Sequence, residues 1–255
     1  MGKKGPPLRL KRKPAPGFWP IHRKEFTWVI KPSPGPHSLE KSLPLTVVLR
    51  EVLGFAQTGK EAKIIVSQGK IYVDGKVRRR ADFPVSLMDV ISIPDAGKFF
   101  RILPSKKGLI LHPIDKEESA FKLCRIENKT VTRSGHVQLS LHDGSTILVK
   151  VSDPKNPQED VYKTLDTIKI SIPEEQVLEH IKMKEKDYAI ITGGKNIGKL
   201  GKIAEIERAK AKKRRTAFAI IEDEKGDRYQ TILDFVFAIG ETKPIISLPE
   251  AAETV

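Results

Sequence analysis

The stretch TGKEAKIIVSQGKIYVDGKV, residues 58–77, decides the fold of the first half of the chain because a helix signal is followed directly by a hairpin signal. Thr58 and Glu61 have the spacing of a capping box at the start of a helix. The apolar positions that follow form one predicted buried face, namely Ala62, Ile65 and Val66. Asp74-Gly75 lies between two short β-prone runs and suits a type I′ turn. The stretch therefore predicts a capped helix that ends at Gly69, followed by a two-stranded hairpin.

Another helix is predicted immediately upstream. Apolar residues recur there at helical spacing, namely Leu45, Val48, Leu49, Val52 and Leu53. Ser42 is the expected N-cap, Pro44 is tolerated in the first turn, and Gly54 is the expected stop. The two helices and the hairpin together predict an α+β unit over residues 38–98.

Residues 1–37 form an arm rich in Lys, Arg, Pro and Gly. Its first 31 residues carry nine Lys or Arg against Glu25 alone, which is a net charge of +8. Six prolines between Pro14 and Pro36 preclude a long helix. One interpretation is a disordered solubilising tail. However, disordered tails are poor in aromatic residues, and this arm contains Phe18, Trp19, Phe26 and Trp28. We therefore expect a segment that is mobile in the free protein and orders on an RNA backbone.

The remainder of the chain is predicted as two small β units and a tail over residues 241–255. Short β-prone runs over 99–173 indicate a small central barrel or sandwich. Residues 174–240 are predicted to begin with a short helix around 173–182 and to continue as strands. The basic run 208–215 is interpreted as a long loop, which is either a solvated face or a phosphate contact.

The overall charge favours a polyanion as partner. The 255 residues include 46 Lys or Arg and 32 Asp or Glu, which gives a net charge of +14 and a pI near 9.7. A pI above about 9 is typical of nucleic-acid-binding domains. Cys124 is the single cysteine, which excludes an intrachain disulfide and a cysteine-rich zinc site and fits a reducing compartment. No apolar run is long enough to cross a bilayer.

The sequence also argues against catalysis. Residues 193–199 have the spacing of a P-loop, but Leu200 follows where a Mg²⁺-binding Ser or Thr is required. We interpret them as a glycine-rich loop between two strands, in which Gly194, Gly198 and Gly201 permit a tight turn and close approach to a partner. No catalytic motif appears elsewhere, and no cofactor, metal or small-molecule substrate is expected.

Several motifs, in order along the chain, resemble the archaeal and eukaryotic small-subunit ribosomal protein S-four-e family. The N-terminal ones are Trp19-Pro20-Ile21 and residues 32–37. The stretch from Leu45 to Lys76 resembles the S-four-type RNA-binding fold, and residues 194–203 resemble a KOW motif on an SH3-like barrel. Residues 244–249 resemble the C-terminus of the family.

The resemblance implies a multidomain, mostly β protein with an α+β part. Its expected parts are a basic arm (1–37), an S-four-type αα-β RNA-binding domain (38–98), a central small β-barrel (99–173), a KOW barrel (174–240) and a tail (241–255). The implied function is a non-catalytic structural constituent of the small ribosomal subunit in the cytoplasm. Its partners would be small-subunit ribosomal RNA and neighbouring ribosomal proteins, with no membrane. Two alternatives remain open: an RNA-modifying enzyme, or a translation or transcription factor, that uses an S-four-type or KOW domain.

Basic residues on these elements complete the expectation. Lys60 and Lys63 share one face of the second predicted helix, and a basic run follows the hairpin directly. We expect RNA contacts at Lys11, Arg12, Lys13, Trp19, His22, Arg23, Lys24, Thr58, Lys60, Lys63, Lys70, Arg78, Arg79, Arg80, Lys195, Lys199, Lys212, Lys213, Arg214 and Arg215.

Overall fold

The computed structural model describes residues 9–153, 158–207, 217–223 and 225–249, and most of its regular structure is β. The first strands are β1 (Leu10–Lys11), β2 (Trp28–Val29) and β3 (Leu43–Pro44). Two helical segments follow, α1 (Leu45–Val47), which continues as a π-helical turn over Val48–Val52, and α2 (Gly59–Ser67). The next strands are β4 (Tyr72–Val73), β5 (Lys76–Val77), β6 (Pro84–Val85), β7 (Val90–Ile93), β8 (Lys98–Ser105) and β9 (Gly108–Pro113). The last are β10 (Phe121–Val131), β11 (Val137–Leu141), β12 (Thr146–Val149), β13 (Thr167–Ser171), β14 (Val177–Ile181), β15 (Tyr188–Ile191), β16 (Leu200–Glu207), β17 (Phe218–Glu222), β18 (Arg228–Ile232) and β19 (Val236–Gly240). The expected mostly β class with few helices is confirmed.

Helix α2 and the hairpin after it form as predicted because their signals are local. The Thr58 hydroxyl accepts a hydrogen bond from the Glu61 amide at 3.2 Å, and the Glu61 carboxylate accepts one from the Thr58 amide. Hydrogen bonds from the Gln57 amide and from Thr58 hold the pKa of the Glu61 carboxyl below its usual value. Asp74 and Gly75 have φ angles of 50° and 70°, so both central residues of the turn are left-handed, as a type I′ turn requires.

Loss of this cap has a predictable cost. We expect Thr58→Ala to lower the free energy of unfolding by about 1 kcal/mol, because the Glu61 amide then loses its acceptor. Urea denaturation followed by circular dichroism measures the change. Ser67→Ala, at the other end of the same helix, is the matched control and should stay within about 0.5 kcal/mol of wild type. Equal stabilities of the two variants would contradict the role of the cap.

Helix α1 is shorter than the pattern predicts. Pro44, not Ser42, is its N-cap residue, and Gly54 follows the helical segment with a φ of 65°. Residues Leu43 and Pro44 pair instead with β6, and the amide of Leu45 donates to the Phe83 carbonyl. This long-range pairing recruits residues before Leu45 into extended structure and delays the start of the helix.

Residues 9–37 are a folded part of the first half, which corrects the expectation of a mobile arm for the residues described. Strands β1 and β2 pair with each other, and Trp19 is 3% exposed in the same core as both helices. Its indole Nε1 donates to the Ser42 carbonyl at 2.9 Å. The Ser33 amide donates to the Asp82 carbonyl at 2.8 Å. Contacts with partners distant in sequence therefore order this segment.

The chain divides into two units, residues up to Ile102 with Lys107–Pro113, and Leu103–Lys106 with the residues from Ile114 onward. The main sheet of the first unit has the strand order β5-β4-β7-β8-β9. Strand β8 pairs with β7, so this sheet continues across the boundary expected between residues 98 and 99. The sequence did not indicate this pairing, because the expected boundary was placed by a change in composition and β8 spans that position as one continuous strand.

The second unit contains two antiparallel sheets with separate cores, ordered β12-β11-β10-β13-β14 and β18-β17-β16-β15-β19. Arg125 on β10 joins them, because its guanidinium donates to the carbonyls of Asp234 and Val236 at 2.8 and 3.0 Å. The helix expected around residues 173–182 is wrong. Strand β14 forms there and pairs with β13, and this pairing overrides the weak helical pattern.

Candidate nucleic-acid interface

The first unit contains a cavity of about 660 Å³ whose wall is rich in cations. Four basic side chains line it, and one acidic side chain accompanies them. We call this the cationic cavity and define it by Arg9, Trp28, Lys31, Lys63, Arg79 and Asp82. Its volume lies within the roughly 300–1,000 Å³ of sites that hold small ligands.

Helix α2 and the chain after the hairpin position two of these cations. Lys63 is exposed, while its neighbours Ala62 and Val66 on α2 are buried in the core. Gly69 ends the helix with a φ of 75°, and a Cβ there would lie 3.4 Å from the Nε atom of Arg79. The positive φ favours glycine at this position, and Arg79 lies beside it near the C-terminus of α2, where the helix dipole favours a cation.

Among the described residues, the one carboxylate of the cavity wall is already paired. Asp82 accepts hydrogen bonds from Arg80, with Nε to Oδ1 at 3.2 Å and Nη2 to Oδ2 at 3.0 Å. The hydrogen bond and the charge of Asp82 raise the pKa of the Arg80 guanidinium. Because this pair neutralises Asp82, the cationic cavity keeps a net positive charge, and an anion is the ligand that it favours.

Three residues predicted as RNA contacts in this segment also have structural roles, and their contact with RNA remains a prediction. Trp19 is buried, as described above. Arg12 is 2% exposed, and its Nη1 donates to the His22 carbonyl at 2.7 Å. Arg23 donates to the carbonyls of Ala15 and Pro16 at 2.9 and 2.7 Å. These two guanidinium groups satisfy backbone carbonyls of a segment with little regular structure, so their donors are occupied.

The other predicted residues of the segment remain on the surface. Lys11, Lys13, His22 and Lys24 are exposed. The Nζ atom of Lys11 lies 5.8 Å from the centroid of the Trp28 ring. These residues stay predicted RNA contacts.

The predicted residues around α2 and the hairpin divide into several groups. Thr58 is occupied by the capping box, and Lys60 is exposed beside it but does not line the cavity. Lys70 forms an exposed ion pair with Asp95 at 3.4 Å. The guanidinium carbon of Arg78 lies 4.2 Å from the centroid of the Phe83 ring. Of the residues predicted here, only Lys63 and Arg79 meet in the cavity.

The predicted residues of the second unit lie on or near the glycine-rich loop. Lys195 is exposed, and the Nζ atom of Lys199 lies 5.0 Å from the ring centroid of Tyr229. At Gly201 a Cβ would lie 2.3 Å from the Glu222 carbonyl oxygen, so the close approach there is between β16 and β17 of this chain. Four further predicted contacts lie outside the described residues, namely Lys212, Lys213, Arg214 and Arg215.

Sequence reasoning did not select three residues of the cavity. Arg9 and Lys31 were counted only within the charge of the arm, and Trp28 only as one of its aromatics. Their signal was the β-prone run around Trp28, because pairing of that run with residues 10–11 brings the ends of the segment together. Nothing in the sequence predicts that these residues lie close to Lys63 and Arg79 in the fold.

The described residues show neither a metal-binding cluster nor a membrane-spanning helix. No group of three or more His, Cys, Asp or Glu side chains there is arranged to hold a metal ion. No helix in the same part of the chain is long and apolar enough to cross a membrane.

Comparison with known families divides the chain into three matched segments. Residues 4–40 match the RS4NT domain, residues 43–91 match the S4 domain, and residues 96–177 match the Ribosomal family S4e. The first two matches contain every residue that defines the cationic cavity.

Curated relatives match over nearly the whole chain. The small ribosomal subunit protein eS4 of Aeropyrum pernix is 51% identical over 253 residues, which is 99% of each chain. That of Staphylothermus marinus is 50% identical over 99% of this chain and 100% of the relative. The crystal structure of the 30S ribosomal protein S4e from Thermoplasma acidophilum matches with a TM-score of 0.64 at 29% identity, over 79% of this chain and 96% of that one. The chain therefore belongs to the eS4 family of small ribosomal subunit proteins.

Proposed function

We propose that the chain binds small-subunit ribosomal RNA through the cationic cavity of its first unit. Membership of the eS4 family makes the chain a structural, non-enzymatic constituent of the small ribosomal subunit. The two alternatives, an RNA-modifying enzyme and a factor outside the ribosome, are not favoured. We propose that the chain acts in cytoplasmic ribosomes, where it contacts other proteins of the small subunit.

The observation that carries the proposal is the charge of the cavity. Arg9, Lys31, Lys63 and Arg79 surround a space in which the one carboxylate, Asp82, is neutralised by a neighbouring arginine. Lysine and arginine neutralise phosphates and displace condensed counterions, and this supplies most of the affinity of such proteins for nucleic acid. Contacts of this type position the protein on RNA of a given shape without reading its sequence.

We further propose that the last sheet of the second unit is an SH3-like barrel of the KOW type and that the sheet before it is a small barrel. The order β18-β17-β16-β15-β19, all antiparallel, supports the first assignment. The narrow contact at Gly201 supports it as well, because glycine in the motif then serves strand packing. We also propose RNA contacts at Lys195 and Lys199.

A salt series on purified RNA tests the proposal. We expect Lys63→Glu/Arg79→Glu to weaken binding by about 100-fold at 50 mM salt. The variant loses two phosphate contacts, and each contact contributes about 0.9 to the slope of log affinity against log salt concentration. The slope of log affinity against log salt should fall by about two, one for each lost contact. Filter binding to small-subunit ribosomal RNA measures both quantities.

The control is Lys41→Glu/Lys98→Glu, which changes the net charge equally at two exposed residues outside the cavity. It should keep the wild-type slope within about half a unit if the cavity, and not total charge, holds the phosphates. Equal losses in both double variants, or no loss in either, would contradict the proposal. Circular dichroism establishes that each variant is folded.

A further inference from the structure

One wall of the cationic cavity is aromatic. Trp28 is 49% exposed, whereas Trp19 in the same segment is 3% exposed. Leaving half of an indole ring in water forgoes a large burial gain, since aromatic side chains bury about 150–250 Å² each in cores and interfaces. An exposed tryptophan inside a cavity therefore suggests a ligand that covers it.

The backbone of Trp28 is held in place before any ligand arrives. Strand β2 pairs with β1 in a register that sets Trp28 opposite Lys11. The Arg12 amide donates to the Thr27 carbonyl at 3.0 Å, and the buried Arg12 guanidinium lies against the carbonyl of Trp28 at 3.4 Å. The indole thus projects from a paired strand, and little backbone conformational entropy remains to be lost when a ligand stacks on it.

The nearest cations are only loosely held by this ring. The guanidinium carbon of Arg9 lies 5.9 Å and the Nζ atom of Lys11 lies 5.8 Å from its centroid. Both distances are at the outer limit of a cation–π contact, which is about 6 Å. The two side chains can therefore turn toward phosphates while a planar group covers the ring.

We propose that the cavity receives one unstacked nucleotide of the ribosomal RNA, with its base on the Trp28 ring and its phosphates near Lys63 and Arg79. The proposal rests on the proposed function and adds the kind of RNA that is bound. A continuous duplex keeps its bases stacked and presents only backbone, whereas a bulge or loop offers a free base. Stacking on an aromatic side chain accepts any base, because every base has a π face.

Two hairpin RNAs that differ by one unpaired adenosine test this. We expect Trp28→Ala to weaken binding of the bulged hairpin by roughly 5- to 150-fold, the range that corresponds to about 1–3 kcal/mol for one stacked base. Binding of the fully paired hairpin should be unchanged. Trp28→Phe keeps an aromatic face and should recover part of the loss. Phe26→Ala is the matched control, because Phe26 is 59% exposed on the same segment and does not line the cavity.

Tryptophan fluorescence supplies a second readout. Trp28 is the exposed indole, so acrylamide quenching of the wild type reports mainly on it, and the bulged hairpin should protect it while the paired one does not. Equal loss of both hairpins in Trp28→Ala, or no loss of either, would overturn the inference. If Lys63→Glu/Arg79→Glu still weakens both hairpins in that case, the proposed function stands. If that double variant also has no effect, the proposed function fails with it.

Discussion

Trp19→Ala is expected to lower the free energy of unfolding by about 3–5 kcal/mol, which is the usual cost of truncating a buried tryptophan. The indole of Trp19 is 3% exposed and packs in the core that also contains Leu45 and Leu49 of the helical segment. Its loss leaves a cavity and also leaves the Ser42 carbonyl without its 2.9 Å donor. Both effects act at the point where residues 9–37 join the rest of the first unit.

The matched comparison is the same substitution at the other tryptophan. Trp28→Ala removes an indole that is half exposed, and we expect it to cost less than about half of what Trp19→Ala costs, because less apolar surface is lost from the folded state. Trp19→Phe should fall between the two, because it keeps an aromatic ring in the core while it loses the Nε1 donor and part of the indole volume. Urea denaturation of the three variants measures these differences. Similar stabilities of Trp19→Ala and Trp28→Ala would show that the segment does not fold onto the core.

Lys122→Met is expected to cost about 3–5 kcal/mol, because it leaves a buried charge without its partner. Lys122 is 4% exposed on β10, and its Nζ lies 3.0 Å from Oδ2 of Asp143. Burial alone raises the pKa of the Asp143 carboxyl. Attraction to Lys122 and His142, with hydrogen bonds from Ser145 and Lys122, outweighs burial and holds that pKa well below its usual range.

The pH dependence follows from that direction. A lowered pKa in the folded protein means that Asp143 contributes stability above its unfolded pKa of about 4, and that this contribution is lost as the pH falls further. In Lys122→Met the attraction to Lys122 is gone and the pKa of the Asp143 carboxyl is higher than in the wild type, so protonation relieves the buried charge. The difference between wild type and variant should therefore be smaller at pH 3 than at pH 7.

A second substitution separates charge from packing. Lys122→Met/Asp143→Asn removes the uncompensated charge and keeps an oxygen that can accept from Ser145, whose amide and hydroxyl now donate to Oδ1 of Asp143. The double variant should regain most of the stability that Lys122→Met loses at neutral pH. A double variant as unstable as the single one would show that the cost comes from packing of the lysine stem.

The elements that the sequence predicted well are those whose signals lie within a few residues. The capping box at Thr58 and Glu61 and the turn at Asp74-Gly75 are satisfied by neighbouring backbone, so their geometry does not depend on distant partners. Helix α1 differs because residues 43–46 bond to residues 81–85, about 40 positions away. Local helix propensity does not predict whether residues 43–44 extend the helix or pair with the distant strand.

Residues 9–37 were misjudged for the same physical reason. Their charge and proline content describe a segment that cannot form its own core, and this remains true of the segment in isolation. The partners that order it lie beyond it, with Trp19 donating to Ser42 and Ser33 donating to Asp82. Two of its arginines, Arg12 and Arg23, donate hydrogen bonds to backbone carbonyls of the same segment. A count of positive charge therefore does not show which of these side chains are engaged within the chain.

The sequence predicted only some of the residues that line the candidate site. Lys63 and Arg79 were selected because helix phase and the hairpin position them, and the structure brings them to one cavity. Arg9, Trp28 and Lys31 enter that cavity from a segment at least 32 positions earlier than Lys63, through the β1–β2 pairing. Their role as RNA contacts, like that of the lysines, remains a prediction.

The most direct test of the central claim, that the cationic cavity holds ribosomal RNA, is ultraviolet crosslinking of purified small subunits followed by mass spectrometry of the peptides. The account predicts nucleotide adducts on peptides that contain Trp28, Lys63 or Arg79, together with protection of Lys63 from acetylation in the assembled subunit. Recovery of these peptides without adducts, with Lys63 acetylated as readily in the subunit as in the free protein, would contradict it.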